Sequence, residues 1–334
     1  MTKETKELNQ ESSVDATEVK KTQRAKRPDW LKVRAPTSKS YHNIKEMLGG
    51  LNLATVCQEA ICPNIEECWS GGTATFMLMG DTCTRACRFC AVKTGNPKGI
   101  LDLEEPSKVG YAISQMNLDY VVLTSVDRDD LPDLGADHFA RTIEVIKENN
   151  PKMIVEVLTP DFNAIPELVD RIIQAKPDVF AHNIETTEAL TPRVRDRRSQ
   201  YRKSLKTLEL AKKTNPAQYT KTSIMLGLNE RDEDVLQAMK DLRDVGCDVV
   251  TFGQYLAPTN RHKKYLPIEE YVHPDKFDHW KKTADEMGFL YCASGPLVRS
   301  SYRAGEFFMK GVIEKKRLES EFSKSRPAYP TLDV

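Results

Sequence analysis

The 334-residue chain carries no excess charge of either sign: 49 basic residues balance 49 acidic ones. A field that would gather nucleic acid or an acidic membrane surface is therefore excluded for the chain as a whole, and only a local patch would serve such a partner. No apolar run approaches the roughly 20 residues that span a bilayer. The opening MTKETKELNQESSVD lacks the apolar segment of a secretory signal, and its acidic residues count against an organellar transit peptide. These absences lead to the expectation of a cytoplasmic protein with reduced thiols, partnered by neither nucleic acid nor membrane. Also missing are a glycine-rich dinucleotide fingerprint after an early strand, G-x-x-x-x-G-K-[ST], H-E-x-x-H and G-x-S-x-G. Nicotinamide, P-loop, zinc-protease and hydrolase chemistry thus lack their signatures.

What the sequence does contain is 40% hydrophobic residues, enough for a sizeable core. Residues 1–30 are polar and read as a loose tail; residues 31–72 read as an irregular, cysteine-bearing extension. One pattern then recurs over residues 73–288. The apolar runs TATFMLM, YVVLTSV, MIVEVLTP, DVFAHNIE, YTKTSIMLG and CDVVTFGQY alternate with amphipathic stretches at 107–116, 137–149, 163–175, 200–213, 231–243 and about 274–287. Six strand–helix units imply parallel strands covered by helices. Two more units would complete an eight-stranded barrel, but residues 289–334 show no further repeat, so an α/β partial TIM barrel of (β/α)6 type fits best. A doubly wound sheet uses the same units and competes with it. In either architecture the functional side is the carboxyl edge of the strands, where GDTCTRACRFC, TSVDRDD, TPD, HNIETT, GLNE and QYLAPT emerge.

Six of the eight cysteines fall between Cys57 and Cys90. A chain this large does not need disulfide staples, which disfavours that reading. Cys247 and Cys292 stand alone near apolar runs, as buried structural residues do. Cys83, Cys87 and Cys90 form C-x3-C-x2-C on one loop, so their thiolates can converge on a soft metal, zinc or the iron of an iron–sulfur cluster. A structural zinc takes four protein ligands, and no fourth follows at finger-like spacing. A four-iron cluster on three thiolates instead leaves one iron open. Arg85 and Arg88 would offset its charge and Phe89 would shield it, unless they are solvated arginines and an ordinary core ring. Upstream, Cys57, Cys62 and Cys68 form C-x4-C-x5-C, suited to a second cluster, to structural metals or to partly buried thiols.

C-x3-C-x2-C with an aromatic before its last cysteine, after the first strand of a partial barrel, resembles the radical S-adenosylmethionine superfamily. With the second triad, the stretches CPNIEECW, GDTCTRACRFCAV, VVLTSVDRDDLPDLGADHFA, VEVLTPDF, HNIET and ASGPLVRSSY make residues from about 50 to 304 similar to the lipoyl synthases. That resemblance implies two [4Fe-4S] clusters and S-adenosyl-L-methionine. Cys83, Cys87 and Cys90 would hold the cluster whose open iron binds S-adenosylmethionine, and cleavage of the sulfonium would yield a 5'-deoxyadenosyl radical. Cys57, Cys62 and Cys68 would hold an auxiliary cluster. Its fourth ligand would be Ser300 of the R-S-S-Y motif, organised by Arg299, with the C-terminal segment folded over the barrel mouth. The implied reaction inserts sulfur from the auxiliary cluster at C6 and C8 of an octanoyl-lysine. The implied partners are octanoylated lipoyl carrier domains (2-oxoacid dehydrogenase E2 or glycine cleavage H protein), a low-potential ferredoxin or flavodoxin, and an iron–sulfur cluster carrier.

Chemistry and position nominate contacts for S-adenosylmethionine. Ser125 and Asp127 offer acceptors for ribose or amino groups. Asn183 and Glu185, two residues apart at a strand end, would receive the methionyl amino group, or Glu185 would form a salt bridge inside the barrel. Arg195 would meet a carboxylate, unless RVRDRR forms a basic surface for the carrier domain, and Gly227 would permit close approach. Asp129 and Asp130 read as solvated loop residues. Two other readings compete: a different sulfur-inserting radical enzyme with an auxiliary cluster, and a non-catalytic iron–sulfur carrier. The second leaves TSVDRDD, HNIET and the barrel repeats without a task.

Overall fold

Each of the six apolar runs forms a strand. The computed structural model describes residues 27–32, 39–59, 64–65, 75–116, 118–258, 264–301 and 303–325, with the side chains of 39–41, 43, 57, 303–307 and 320–325 outside that description. Cys62 and Cys68 lie outside the described residues, and Cys57 is described in its backbone alone. A short β1 (Ala54–Thr55) pairs antiparallel with β2 (Thr75–Leu78). Two more short strands, β3 (Thr82–Cys83) and β4 (Lys93–Thr94), pair with each other. The large sheet continues with β5 (Tyr120–Ser125), β6 (Ile154–Leu158), β7 (Val179–Ala181), β8 (Tyr219–Leu226), β9 (Val249–Gln254) and β10 (Tyr291–Gly295), all parallel.

The spatial order β1-β2-β5-β6-β7-β8-β9-β10 follows the chain without reversing. A doubly wound sheet needs a reversal of strand order, so the barrel reading holds. Helices Glu105–Met116, Ala136–Asn149, Pro166–Gln174, Tyr201–Thr214, Asp232–Asp244 and Pro274–Glu286 make the six crossovers. The third starts later than its periodicity suggests. Pro166 occupies its first turn, where a missing N–H costs nothing, and holds Ile165 extended. Residues 162–164 form a separate turn of 3₁₀ helix.

The seventh parallel strand, β10, lies beyond the barrel boundary expected at residue 288. Its sequence YCASG carries Ala, Ser and Gly at three of five positions, so no apolar run advertises it. After it the chain divides. Residues 296–301 border the mouth, whereas the 23-residue helix Arg303–Ser325 reaches the opposite end. There Met309 and Ile313 pack on Tyr120, Val122, Ile154, Val179 and Val249, residues at or near the amino ends of their strands, and Phe308 stacks on Tyr291 at 4.3 Å. Inside this floor, Lys221 pairs with Glu156 at 2.7 Å, each side chain 1% exposed, and Tyr120 donates its hydroxyl to Glu156 at 2.5 Å. The barrel is packed at its base, so any ligand has to be accommodated on the mouth side.

Candidate active site

The cysteine loop leaves β2 at the carboxyl edge and is stitched to its neighbours through the backbone. Gly95 N donates to Cys83 O at 2.9 Å, Thr84 N to Asp127 O at 3.0 Å, Arg88 N to Val194 O at 2.9 Å and Leu266 N to Arg88 O at 3.1 Å. The thiols also receive amide protons. Cys83 Sγ lies 3.4 Å from both Arg85 N and Asp127 N, Cys87 Sγ lies 3.4 Å from Asp196 N, and the Val92 amide serves Cys90. Donors of this kind stabilise sulfur that carries negative charge. Burial, with Asp127 second, pushes Cys83 up to about 12; burial does the same to Cys87 and raises Cys90. Thiols so placed need a bound cation to ionise, and a metal cluster provides one. Among the described residues no three His, Cys, Asp or Glu side chains converge on a single metal ion.

Arg85 is neither solvated nor turned to the thiols. It is 4% exposed, and its guanidinium meets Asp161 at 2.7 and 2.9 Å, Asp129 at 3.0 and 3.2 Å, Asp127 at 3.3 Å and Ser199 Oγ at 3.1 Å. Burial opposes its charge, but these carboxylates hold it above the ordinary arginine range. Burial would likewise raise Asp161; the Arg85 guanidinium overrides it and holds that carboxyl at about 2. Asp127, only partly served, is pushed by burial up to about 6 against the pull of Arg85. Asp129 is thus a clamp residue rather than a solvated one, and Thr84 Oγ1 also donates to it at 2.6 Å. Asp130 is likewise engaged, pairing with buried Arg128 at 2.8 Å. Arg198 adds a second fastening, reaching Asp129, Asp196 and Thr84 O.

Five buried polar atoms at this edge have no hydrogen-bond partner among the described residues: Ser125 Oγ, Asn183 Oδ1, Arg195 Nε and the hydroxyls of Thr186 and Thr187. Such atoms are costly unless a ligand satisfies them. Asn183 and Glu185 come together as the sequence suggests, with Asn183 Nδ2 donating to Glu185 at 3.2 Å. They meet through a bend and not by strand alternation, because β7 ends at Ala181 and Glu185 sits at φ 67° in the left-handed region. That strained position sits at the carboxyl edge with these orphaned atoms. Burial raises the Glu185 carboxyl, against the opposing pull of Arg195. The other end of Arg195 is anchored, with Nη1 donating to Ser204 Oγ at 2.7 Å and Ile184 O at 3.3 Å.

Two nominated residues find other surroundings. Gly227, at φ 97°, leaves no room for a ligand: an added Cβ would meet Gln254 Nε2 at 2.2 Å and Glu270 O at 2.5 Å. Its space is used by the chain itself. Phe89 packs at the edge of an apolar cluster of Val194, Leu228, Tyr255 and Leu266, beside the thiol loop. Sequence reasoning also missed Asp161, Asp196 and Gln254. The stretch TPD at the carboxyl edge was the one signal for Asp161.

His182 is structural. Its Nδ1 meets Thr159 O at 2.8 Å and its Nε2 meets Ser204 Oγ at 2.9 Å. Burial, aided by Arg195, lowers it to about 4. A neutral buried histidine contributes stability that is fully present above its unfolded pKa, near 6.5, and is lost as pH falls through about 4. Asp127 and Glu185, both raised, change stability in the opposite sense over part of this range. The prediction is therefore a difference: the stability advantage of the wild type over His182→Asn should shrink by about 3 kcal/mol between pH 7 and pH 4. Urea unfolding of both metal-free chains across that range measures it, and a constant difference would refute the assignment.

Arg299 Nη1 donates to Val298 O at 2.7 Å and Gln254 O at 3.4 Å, fastening the loop that carries Ser300 onto the end of β9. Ser300 itself is half-buried. Cys247 and Cys292 are buried, as expected, and burial pushes each thiol up to about 12.

Comparison with known proteins completes this picture. Residues 77–254 match the Radical SAM superfamily, and residues 2–62 match the N-terminal domain of lipoyl synthase of the Radical SAM family. The mitochondrial lipoyl synthase of Schizosaccharomyces pombe is 58% identical over 294 residues, covering 86% of this chain and 79% of that protein. That of Aedes aegypti is 56% identical over 306 residues, covering 90% and 77%. Among solved structures, the HydG maturase of Carboxydothermus hydrogenoformans aligns with a TM-score of 0.51 at 12% identity, covering 82% of this chain and 78% of that one, a likeness of fold. The cytoplasmic expectation does not survive, because the relatives are mitochondrial enzymes. The composition of one terminal stretch is a weaker guide to compartment than relationship over most of the chain. With its thiol loop, its orphaned polar atoms and this relationship together, the chain belongs to the lipoyl synthase family of the radical S-adenosylmethionine superfamily.

Proposed function

We propose that the carboxyl edge of the barrel holds one [4Fe-4S] cluster on Cys83, Cys87 and Cys90 with S-adenosylmethionine beside it, and that the chain inserts sulfur at C6 and C8 of an octanoyl-lysine on a lipoyl carrier domain. The observation that carries this reading is the set of buried, unpartnered Ser125 Oγ, Asn183 Oδ1 and Arg195 Nε at the same edge as three thiols supplied with amide donors. Ser125 and Asp127 receive donors of the cofactor, Asn183 and Glu185 hold its amino group, and Arg195 faces a carboxylate. Gly227 shapes the loop that carries Gln254 and takes no part in contact.

Residues 31–72 form the extension for the second cluster, on Cys57, Cys62 and Cys68 with Ser300 as an oxygen ligand. A serine oxygen is a harder, more displaceable donor than thiolate, which suits a cluster that has to open. When bound, the clusters and S-adenosylmethionine supply reductive cleavage of a sulfonium, hydrogen abstraction and sulfur. The chain's own residues orient those groups, and the packed floor keeps water from the reacting centre. The fitting partners are carrier domains of 2-oxoacid dehydrogenase E2 or glycine cleavage H type, a low-potential ferredoxin or flavodoxin, and a carrier that rebuilds the consumed cluster.

The test is anaerobic reconstitution with both clusters, then incubation with reductant, S-adenosylmethionine and an octanoylated carrier domain. The expected result is a carrier mass that gains two sulfur atoms. No gain from protein with both clusters intact would reject the assignment.

A further inference from the structure

Arg85 holds the middle of the thiol loop, and a separate set of buried groups holds its two ends. At the entry, β2 leaves the sheet through Met79 and Gly80, both in the left-handed region at φ 66° and φ 88°. That conformation is costly for methionine, and its surroundings impose it. Met79 N donates to the two oxygens of Glu105 at 3.0 and 2.8 Å. Glu105 opens the first crossover helix, and His138, in the first turn of the second, brings its Nε2 within 2.6 Å of the same carboxylate. Met79 Sδ lies over Gly135, where an added Cβ would meet it at 2.3 Å. Met79 O accepts from Arg128 Nη1 at 3.4 Å. At the exit, the same guanidinium donates through Nη2 to Ile100 O at 2.8 Å. Asp130 forks on Arg128 at 2.8 and 2.9 Å and also accepts from Gly99 N at 2.8 Å. Arg128 is 1% exposed, so one buried cation spans the residue that opens the excursion and the residue that closes it. Cys83, Cys87 and Cys90 all lie between them. Duties alternate along TSVDRDD: Asp127 and Asp129 meet Arg85, while Arg128 and Asp130 serve the ends of the loop.

We propose that Arg128 is a positioning residue for the thiol loop: by tying Met79 O to Ile100 O it sets the spacing of the loop's ends, so that the three thiols are presented together before a cluster is bound. The inference rests on the reading that Cys83, Cys87 and Cys90 hold one cluster. A guanidinium suits the task because its planar fork offers donors in several directions at once, and Asp130 balances its charge. An ammonium would serve one carbonyl and lose the other.

Two measurements on the full chain test this. In the metal-free protein, the amides of Thr84, Gly95 and Ile100, which bond Asp127 O, Cys83 O and Pro97 O, should exchange about tenfold faster in Arg128→Met, the effect of a lost charge-assisted hydrogen bond. The amides of β8 and β9 should keep their wild-type exchange. Arg128→Met joined to Asp130→Asn leaves no uncompensated carboxylate and should quicken the same amides, which keeps the test open where the single variant does not fold. In reconstituted, reduced protein, the electron paramagnetic resonance change on adding S-adenosylmethionine should need about tenfold more of it in Arg128→Met, because the competent loop is populated less, with Arg128→Lys intermediate. Cys83→Ala should abolish that change. Unchanged exchange at the three loop amides overturns the proposal, and so does equal quickening of β8 and β9 in both variants, which would mark a general loss of stability. A wild-type response to S-adenosylmethionine in Arg128→Met, where Cys83→Ala abolishes it, overturns it as well. If Cys83→Ala leaves the response intact, the ligand assignment itself falls, and the proposal with it.

Discussion

Replacing Arg85 with methionine should destabilise the metal-free chain by about 3–5 kcal/mol, the cost of breaking a buried ion pair and leaving its carboxylates uncompensated. Asp127, Asp129 and Asp161 converge on one guanidinium whose side chain is 3% exposed, and the side chain of Asp161 is fully buried. The three acids arise from two different strand ends, after β5 and after β6, and the arginine comes from the loop after β2. Removing the cation therefore sets like charges against each other at a junction of three strands. Guanidinium unfolding of the metal-free protein at pH 7 measures the loss without interference from a cluster. Arg85→Lys should recover only part of it, since an ammonium cannot fork across Asp161 and Asp129 at once. A loss below about 1 kcal/mol for Arg85→Met would show that the clamp contributes no more than a surface pair. Iron bound by the loop thiols should fall in parallel, because Arg85 sits between Cys83 and Cys87.

The clamp marks the limit of what the sequence discloses. Strands β2 and β5 to β9 are visible because parallel strands covered on both faces must be apolar throughout. The thiol loop is visible because its three cysteines lie within eight residues, a local pattern. Arg85, by contrast, meets Asp129 and Asp161 at separations of 44 and 76 residues, and nothing in DTCTRACRFC tells a buried arginine from a solvated one. Asn64 is more remote still, 233 positions from Leu297, whose carbonyl accepts from its side-chain amide. Gly227 misleads in the opposite direction. A glycine at a strand end suggests room for a ligand, yet the room is taken by Gln254 and Glu270. β10 escapes notice because Ala, Ser and Gly at three of its five positions leave no hydrophobic signature. Local chemistry is legible, whereas the long-range contacts that orient it depend on the fold.

Replacing Cys83 with alanine should abolish both cleavage of S-adenosylmethionine and sulfur insertion, while replacing Cys57 should preserve cleavage and abolish insertion. The asymmetry follows from how the two cysteine groups are held. Cys83 lies in β3 and is bound into the barrel through β4, Thr84, Asp127 and Gly95, all within the parallel sheet and its edge loops. None of these contacts involves Cys57, so replacing it leaves Cys83 with these supports. Nearby, β1 pairs with β2, and Asn64 Nδ2 donates to Leu297 O in the loop that precedes Ser300. On the proposed assignment, removing Cys57 withdraws the sulfur supply and leaves the Cys83 loop in place. The readouts are 5'-deoxyadenosine formed per enzyme and the mass of the octanoylated carrier, with iron and sulfide counted for each variant. Cys57→Ala should retain about half the iron of the wild type, with one of two clusters remaining. Equal loss of both activities in Cys57→Ala, with the loop cluster intact by iron count, would sink the division of labour between the triads. It would mean that the second group supports the geometry of cleavage as well as the supply of sulfur.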